Sequence, residues 1–372
     1  AGQYVNGDAS EWALRSYFGR VNYSYLDKYL LEANFRYDGS SRLSPTGRWG
    51  LFPSVSGGWL MSKENFMKNV SWLSELKLRG SYGELGNQLI GDYPYQSLFS
   101  IVSYPFSSLE QGAQQNALVD PNIKWEKTKV LDFGTDIDIR NGLFTATIDW
   151  YRKVTNGILA RLSVPSDLGL SGPVTNYGSM QNVGWEFNIG HNNSIGKNFH
   201  YGLNVIFSFY KNKVLKLSGG TQDEGLYLNK VGIPYHSFYM IQWDGIFQDT
   251  AEIDKSPKQP FTPKPGDLKY KDVNGDGVIN ANDRVVTTGA FPEFTYSFNL
   301  NLSYKNWSLT AFFQGMEGGK SYVNGWGIDP FLQASPPPTY FKNAWTPQNH
   351  SETIPALYVQ GYAPVDGTNS TY

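Results

Sequence analysis

Cysteine is absent from the 372 residues. No disulfide can be the scaffold, and thiolate metal sites and cysteine nucleophiles are excluded. Long apolar runs are missing too: nothing approaches the roughly 18 residues that a membrane-crossing helix needs. That excludes a helical span and leaves strands, which cross with about 9–11 residues. Neither sign of charge dominates, with 31 Lys and Arg against 33 Asp and Glu and a net charge of −2. No basic stripe is present, so nucleic acid is not an expected partner. Charged residues are only 17% of the chain, against about 25% in ordinary soluble domains. The four histidines, His191, His200, His236 and His350, lack metal-ligand spacing, and none sits beside a serine in a nucleophile elbow. With no phosphate-cradling glycine loop either, no enzymatic activity is expected.

Aromatics are plentiful at 16%, including 25 Tyr and 11 Trp. Such side chains pair an apolar body with a polar tip and suit a membrane–water boundary. Several fall near predicted strand ends: Tyr23, Tyr25, Trp150, Tyr151, Tyr304 and Trp307. The strands themselves announce their period. In Phe294 to Tyr304, Phe294, Tyr296, Phe298, Leu300, Leu302 and Tyr304 alternate with Thr295, Ser297, Asn299, Asn301 and Ser303. Successive strand residues point to opposite faces, so this segment is wet on one side and apolar on the other. Leu31, Ala33 and Phe35 repeat the pattern, as do Phe133, Ile137 and Ile139, then Ala146 and Ile148, then Phe187 and Ile189. Leu203, Val205 and Phe207 form another such face, and Leu309, Ala311 and Phe313 follow. Weaker alternation covers about 15–25, 50–61 and 75–82, for ten strands in all.

The connectors alternate as well. Leu26-Asp27-Lys28, Asn141-Gly142, Ile195-Gly196-Lys197 and Lys305-Asn306 are hairpin turns, and 62–74 is a longer turn of the same series. Between them lie excursions of roughly 39–48, 84–129, 154–182, 213–293 and everything after Gln314. Short and long in strict alternation predicts an all-β, antiparallel, up-and-down transmembrane β-barrel with tight periplasmic turns and large external loops. The competing reading is a secreted, calcium-stabilised β-sandwich that binds carbohydrate, soluble without detergent. Ten strands left as an open sheet would expose two backbone edges, which a bilayer does not tolerate. The strands either close on themselves or are part of a larger barrel, and the abrupt start and finish favour the part.

A set of short motifs resembles one family throughout. Phe18-Gly-Arg-Val-Asn-Tyr-Ser-Tyr-Leu-Asp-Lys-Tyr-Leu-Leu31, Arg36-Tyr-Asp-Gly-Ser-Ser41 and Phe52-Pro-Ser-Val55 come first. Leu76-Lys-Leu-Arg-Gly-Ser-Tyr-Gly83, Trp125-Glu-Lys-Thr128 and Asn182-Val-Gly-Trp-Glu-Phe-Asn188 follow in order. Asp244-Gly-Ile-Phe-Gln248, Pro265-Gly-Asp-Leu-Lys-Tyr-Lys-Asp-Val-Asn-Gly-Asp-Gly277 and Phe312-Phe-Gln-Gly315 complete the series. Together they resemble SusC/RagA-type TonB-dependent transporters of Bacteroidetes. The resemblance implies an energised outer-membrane importer of a Gram-negative bacterium, with a barrel of about 22 strands around a plugged lumen. It implies a SusD-like surface lipoprotein, a TonB complex reached through a TonB box, outer-membrane lipid around the wall, and an oligosaccharide or peptide as cargo. Residues 1–372 would then be part of one barrel domain, without the plug, the TonB box or the final strands, and 213–293 a long extracellular loop.

Within that loop lies the sharpest local motif. Counted from Asp272, oxygen-bearing side chains fall at positions one, three, five, nine and twelve: Asp272, Asn274, Asp276, Asn280 and Asp283. Gly277 occupies the sharp-turn position, and Val278 offers a carbonyl. This is the ligand spacing of a calcium loop, with Asp in place of the usual final Glu. The preceding Leu268-Lys-Tyr-Lys271 reads as extended, so no EF-hand helix pair is expected. A metal-free turn in which Asn and Asp bond their own backbone is the plainer alternative. Asp132, Asp136 and Asp138 share a strand face and read as lumen wall rather than acid–base catalysts, with Lys77 and Arg79 on the preceding strand as partners. The loop aromatics Trp243, Phe247, Tyr322, Trp326 and Phe331 are candidates for sugar stacking or for contact with the lipoprotein.

Overall fold

The computed structural model describes residues 7, 9–105, 109–162, 164–325, 328–332 and 335–358. They divide into two compact units. The larger, residues 1–222, 230–235 and 292–318, carries a ten-stranded antiparallel sheet. Its early strands are β1 (Leu14–Tyr25), β2 (Tyr29–Ser40), β3 (Trp49–Leu60) and β4 (Leu73–Asn87). A separate hairpin of β5 (Phe99–Pro105) and β6 (Leu109–Gln115) interrupts the series. The sheet continues through β7 (Glu126–Ile139), β8 (Phe144–Arg161), β9 (Val174–Ile195) and β10 (Phe199–Leu217). It ends with β17 (Phe294–Tyr304) and β18 (Trp307–Glu317). Each strand pairs with its predecessor and successor among the ten, so β1 and β18 are open edges and the barrel is not closed.

All ten expected strands are present, and the alternation keeps step across them. Leu203 pairs with Leu300, which pairs with Ala311; Val205 pairs with Phe298, which pairs with Phe313. Ile148 pairs with Phe187, and Phe187 with Phe207. One face is therefore apolar from β2 to β18, and the other carries the Asn, Ser, Thr and Asp residues. The short turns use left-handed backbone at Leu26, Asp27, Arg140, Asn141, Gly196 and Lys305. The turn after β3 is fastened by Glu64. Its carboxylate accepts hydrogen bonds from Tyr29 Oη (2.7 Å), Lys28 Nζ (2.9 Å) and Trp59 Nε1 (3.2 Å). Those donors, Tyr29 foremost, hold its pKa down at about 2.

Strand lengths depart from expectation at the other end. β8, β9 and β10 run for 18, 22 and 19 residues, well into the stretches expected to be loop. Past the apolar belt both faces are wet, so alternation fades while backbone pairing continues. A small core sits at this end of the larger unit, where Leu43, Phe52, Ile123 and Trp125 are buried. Trp125 meets Phe52 edge-on at 5.2 Å, and its Nε1 donates to the Arg48 carbonyl at 2.8 Å.

The smaller unit comprises residues 223–229, 236–291 and 319–372. It draws on a four-stranded sheet of β11 (Gln222–Asp223), β12 (Tyr227–Asn229), β13 (Ser237–Ile241) and β16 (Arg284–Gly289). A second pair joins β14 (Trp243–Ile246) to β15 (Leu268–Tyr270), with helix α1 (Thr250–Lys255) between them in sequence. Asp249 caps α1, its carboxylate accepting from the Glu252 amide at 2.8 Å. Ile246, Leu268 and Trp345 are buried together. Gly266 packs directly on Trp345: a Cβ there would lie 2.5 Å from the ring, and its φ of 97° is left-handed. Only glycine meets both conditions without strain.

Candidate functional site

The polar face of the sheet is organised around Arg79. Its Nη2 lies 2.6 Å from Asp149 Oδ1, its Nε 3.2 Å from Asp136 Oδ2 and its Nη1 3.5 Å from Asp132 Oδ1. Lys77 adds a longer contact of 3.9 Å to Asp136, and Thr147 Oγ1 donates to Asp136 at 3.2 Å. One guanidinium thus ties three strands, using a planar fork suited to several carboxylates at once. Gly134 makes the room, because any Cβ there would press on Asp149 and lie 2.6 Å from Arg79 Cζ. The expected pairing of Lys77 and Arg79 with Asp132 and Asp136 is present. Asp138 stands apart and accepts instead from the Gly142 amide at 2.6 Å. Residue type alone does not place Asp149 in the cluster, although the sequence holds a signal that does. The two-residue turn Asn141-Gly142 fixes the β7–β8 register, which sets Asp149 opposite Gly134. Side chains of this kind make a charged, hydrated wall; nothing in their arrangement positions a nucleophile.

In the smaller unit the acidic loop is ordered by its own backbone. Asp272 accepts from the Gly275 (2.6 Å) and Gly277 (2.8 Å) amides. Asn274 accepts from the Asp276 amide, and Asp276 from Val278, both at 2.9 Å. Asn280 caps the turn Ala281–Asp283 and donates to the Val278 carbonyl at 3.2 Å. Asp283 is fully buried. It accepts from the amides of Asn280 (2.8 Å), Val273 (2.9 Å) and Asn274 (3.4 Å), with Asn280 chief in holding its carboxyl below the usual range. The residues of the predicted calcium set lie in one turn, each hydrogen-bonded within it. Carboxylate oxygens keep a second lone pair after accepting one hydrogen bond, so these contacts do not exhaust them as ligands. Among the described residues, no group of three or more His, Cys, Asp or Glu side chains is gathered closely enough to hold a metal by themselves.

The five aromatic candidates part company. Trp243 is exposed, and its Nε1 donates to the Gly245 carbonyl at 2.7 Å. Tyr322 is half-buried and lines a hollow of 380 Å³ with Phe238, Met240, Ile328, Tyr340 and Phe341. Phe331 is half-buried on a left-handed backbone, φ 62°. Trp326 lies outside the described residues. Phe247 belongs to the interior: it is fully buried and follows β14, exchanging backbone hydrogen bonds with Asp267 (2.9 Å) and Gly266 (2.7 Å). A surface role for its ring is corrected to a core role. The β14–β15 ladder continues one step beyond Ile246 through these two bonds and holds Phe247 in the interior.

Residues 2–314 match the family model described as TonB dependent receptor-like, beta-barrel. The chain belongs to that family. It is 33% identical over 390 residues to TonB-dependent receptor P26 of Formosa agariphila, covering 99% of this chain and 38% of that protein. It is 32% identical over 324 residues to TonB-dependent receptor SusC of Bacteroides thetaiotaomicron, covering 81% of this chain and 31% of that protein. Among solved structures, the RagAB peptide importer in its open-open state superposes with a TM-score of 0.78 at 25% identity, over 95% of this chain and 38% of that one. The chain spans under two-fifths of the length of these relatives.

For a TonB-dependent receptor barrel the two faces acquire meaning. Wall strands of such barrels turn apolar residues to lipid and polar ones to the lumen. Arg79 and its carboxylates are then lumen-facing. The ten-strand run is a single sheet, not two sheets packed face to face, so the sandwich alternative does not describe it.

Proposed function

We propose that this chain is mid-to-late barrel wall and external loop of a TonB-dependent importer in the outer membrane of a Gram-negative bacterium. One observation carries the reading: a ten-strand sheet with an apolar belt running from strand to strand on one face, a charged opposite face and two open edges. Such a sheet is stable where lipid covers the first, water or a plug meets the second, and further strands pair with the edges. The cargo we infer is an oligosaccharide or peptide delivered with a SusD-like lipoprotein, an assignment supported by likeness to SusC and to the RagAB peptide importer. Energy would come from a TonB complex through plug and TonB box. Residues 213–293 would form an extracellular loop, and Trp243, Tyr322 and Phe331 are the aromatics we propose for cargo or lipoprotein contact. The test is uptake by cells expressing the full-length protein, with and without a functional TonB, given labelled oligosaccharide or peptide pools. One pool should accumulate only when TonB works. Accumulation of neither, or of one regardless of TonB, overturns the reading.

We further propose that the loop 272–283 holds Ca²⁺ through Asp272, Asn274, Asp276, the Val278 carbonyl, Asn280 and Asp283, stiffening the external loop. Hard oxygen ligands at this spacing are what the ion prefers. Titration calorimetry on the detergent-solubilised full-length protein should give a saturable Ca²⁺ heat that Asp272→Ala with Asp276→Ala abolishes. No heat from the unsubstituted protein leaves the loop a self-bonded turn.

A further inference from the structure

The lipid-side face of β7 to β10 changes character past its aromatic row. Phe133, Trp150, Trp185, Phe209 and Phe294 stand side by side in cross-strand register. One alternation further toward the long connectors, Leu131 pairs with Arg152, Arg152 with Val183, and Val183 with Lys211. One further still, Lys129 pairs with Val154, Val154 with Gln181, and Gln181 with Lys213. Arg152 Nε donates to Gln181 Oε1 at 2.9 Å, which leaves the Gln181 amide nitrogen free to donate. Arg152, Lys211 and Lys213 therefore ring Gln181 on one exposed patch.

Its charge is unbalanced. Lys127 and Lys129, at the border, share Glu84 at 3.6 and 3.5 Å. Among the described residues, Arg152, Lys211 and Lys213 have no carboxylate within ion-pair distance. Lys211 and Lys213 stand two residues apart on β10, and Arg152 lies across β9 from them; like charges sharing one face repel, and an anion lying against them offsets that repulsion. Depth narrows the choice of anion. Phe199 to Phe209 is ten steps of β10, about 34 Å along the strand and roughly 24 Å across the membrane at a 45° tilt, close to the height of a barrel's apolar band. Lys211 and Lys213 come immediately after it, at the level of lipid headgroups, and long basic side chains there reach outward to the interface.

We infer that this patch seats the phosphate of an anionic lipid headgroup at the external rim of the barrel, with Arg152, Lys211 and Lys213 as charge partners and Gln181 as neutral donor. The inference rests on the membrane placement proposed above. The test uses the full-length protein reconstituted in phosphatidylcholine nanodiscs, doped with a phosphorylated glycolipid or its dephosphorylated counterpart, with retained lipid read by native mass spectrometry. Wild type should retain the phosphorylated lipid and not the other. Arg152→Gln, Lys211→Gln and Lys213→Gln together should cut retention by roughly tenfold or more. Lys153→Gln, on the lumen side of β8, should leave it unchanged. Equal retention by the triple variant, or equal retention of both lipids, overturns the inference. So does displacement of the lipid by inorganic phosphate at matched concentration, which would make this an ion site. Loss of lipoprotein capture with lipid retention intact would make it a protein-docking surface and overturn it too. Heat-dependent gel migration reports insertion separately: a protein that never inserts defeats the membrane placement itself, whereas an inserted triple variant with full lipid retention defeats only the lipid seat.

Discussion

Leu300→Arg in the full-length protein should nearly abolish its surface level, while Asn301→Arg, one residue on, should assemble normally. Leu300 stands between Leu203 and Ala311 at the middle of the apolar face. An arginine on the lipid face at mid-membrane costs roughly 2–4 kcal/mol, a large share of the 5–15 kcal/mol that stabilises a typical protein. Asn301 points the other way, opposite Gly202 and Thr310, and accepts a hydrogen bond from Thr310 Oγ1 at 2.9 Å. Its replacement loses that one bond and places the charge in water on the polar face. Quantifying both variants at the cell surface, with heat-dependent gel migration as the folding check, decides the matter. Equal levels would mean that the faces have been assigned the wrong way round.

The wall was legible because two solvents wrote it. Every residue between Phe294 and Tyr304 answers either to lipid or to water, so period two survives without a slip, and a one-residue error would invert both faces. Beyond the belt that constraint ends. Lys153, Thr155 and Asn156 on β8 face water from both sides, which is why β8 to β10 were expected to stop sooner than they do. The short strands of the smaller unit carried less signal still, since pieces of two to six residues show no period. Partners across the lumen face were half readable. Residue type gave Arg79 and Asp136, but Asp149 needed the hairpin register as well. Several motifs that carry the family resemblance are places where loops are tied down. Trp125 and Phe52 pack in the loop-end core, while Gly266 and Asp267 form the tight turn beneath Trp345. Asp267 is buried, which pushes its pKa up, and it accepts from Tyr358 Oη at 2.6 Å and the Lys264 amide at 2.7 Å.

Phe247→Ala should unfold the smaller unit or bring it close to unfolding, and Trp243→Ala should not. Both rings flank the same Asp-Gly-Ile, and the sequence alone ranks them equally as contact residues. Phe247 is fully buried, next in sequence to buried Ile246, with Leu268 and Trp345 in the same unit's interior. Truncating such a ring costs about 3–5 kcal/mol through lost transfer energy and the cavity left behind. In a unit of such short strands the fold leans on a few large buried rings, Phe238, Phe261, Phe341 and Trp345 along with Phe247, and losing one of them weighs heavily. Trp243 is 48% exposed and gives up one hydrogen bond to the Gly245 carbonyl, worth roughly 0.5–1.5 kcal/mol. Limited proteolysis of the full-length protein should therefore cut within 236–291 at far lower protease concentration for Phe247→Ala than for Trp243→Ala. The pair also separates folding from contact. If Trp243→Ala keeps wild-type protease resistance and still lowers cargo or lipoprotein capture, Trp243 is a contact residue. If Phe247→Ala resists protease like wild type, the ring is not part of the core and its assignment to the interior fails.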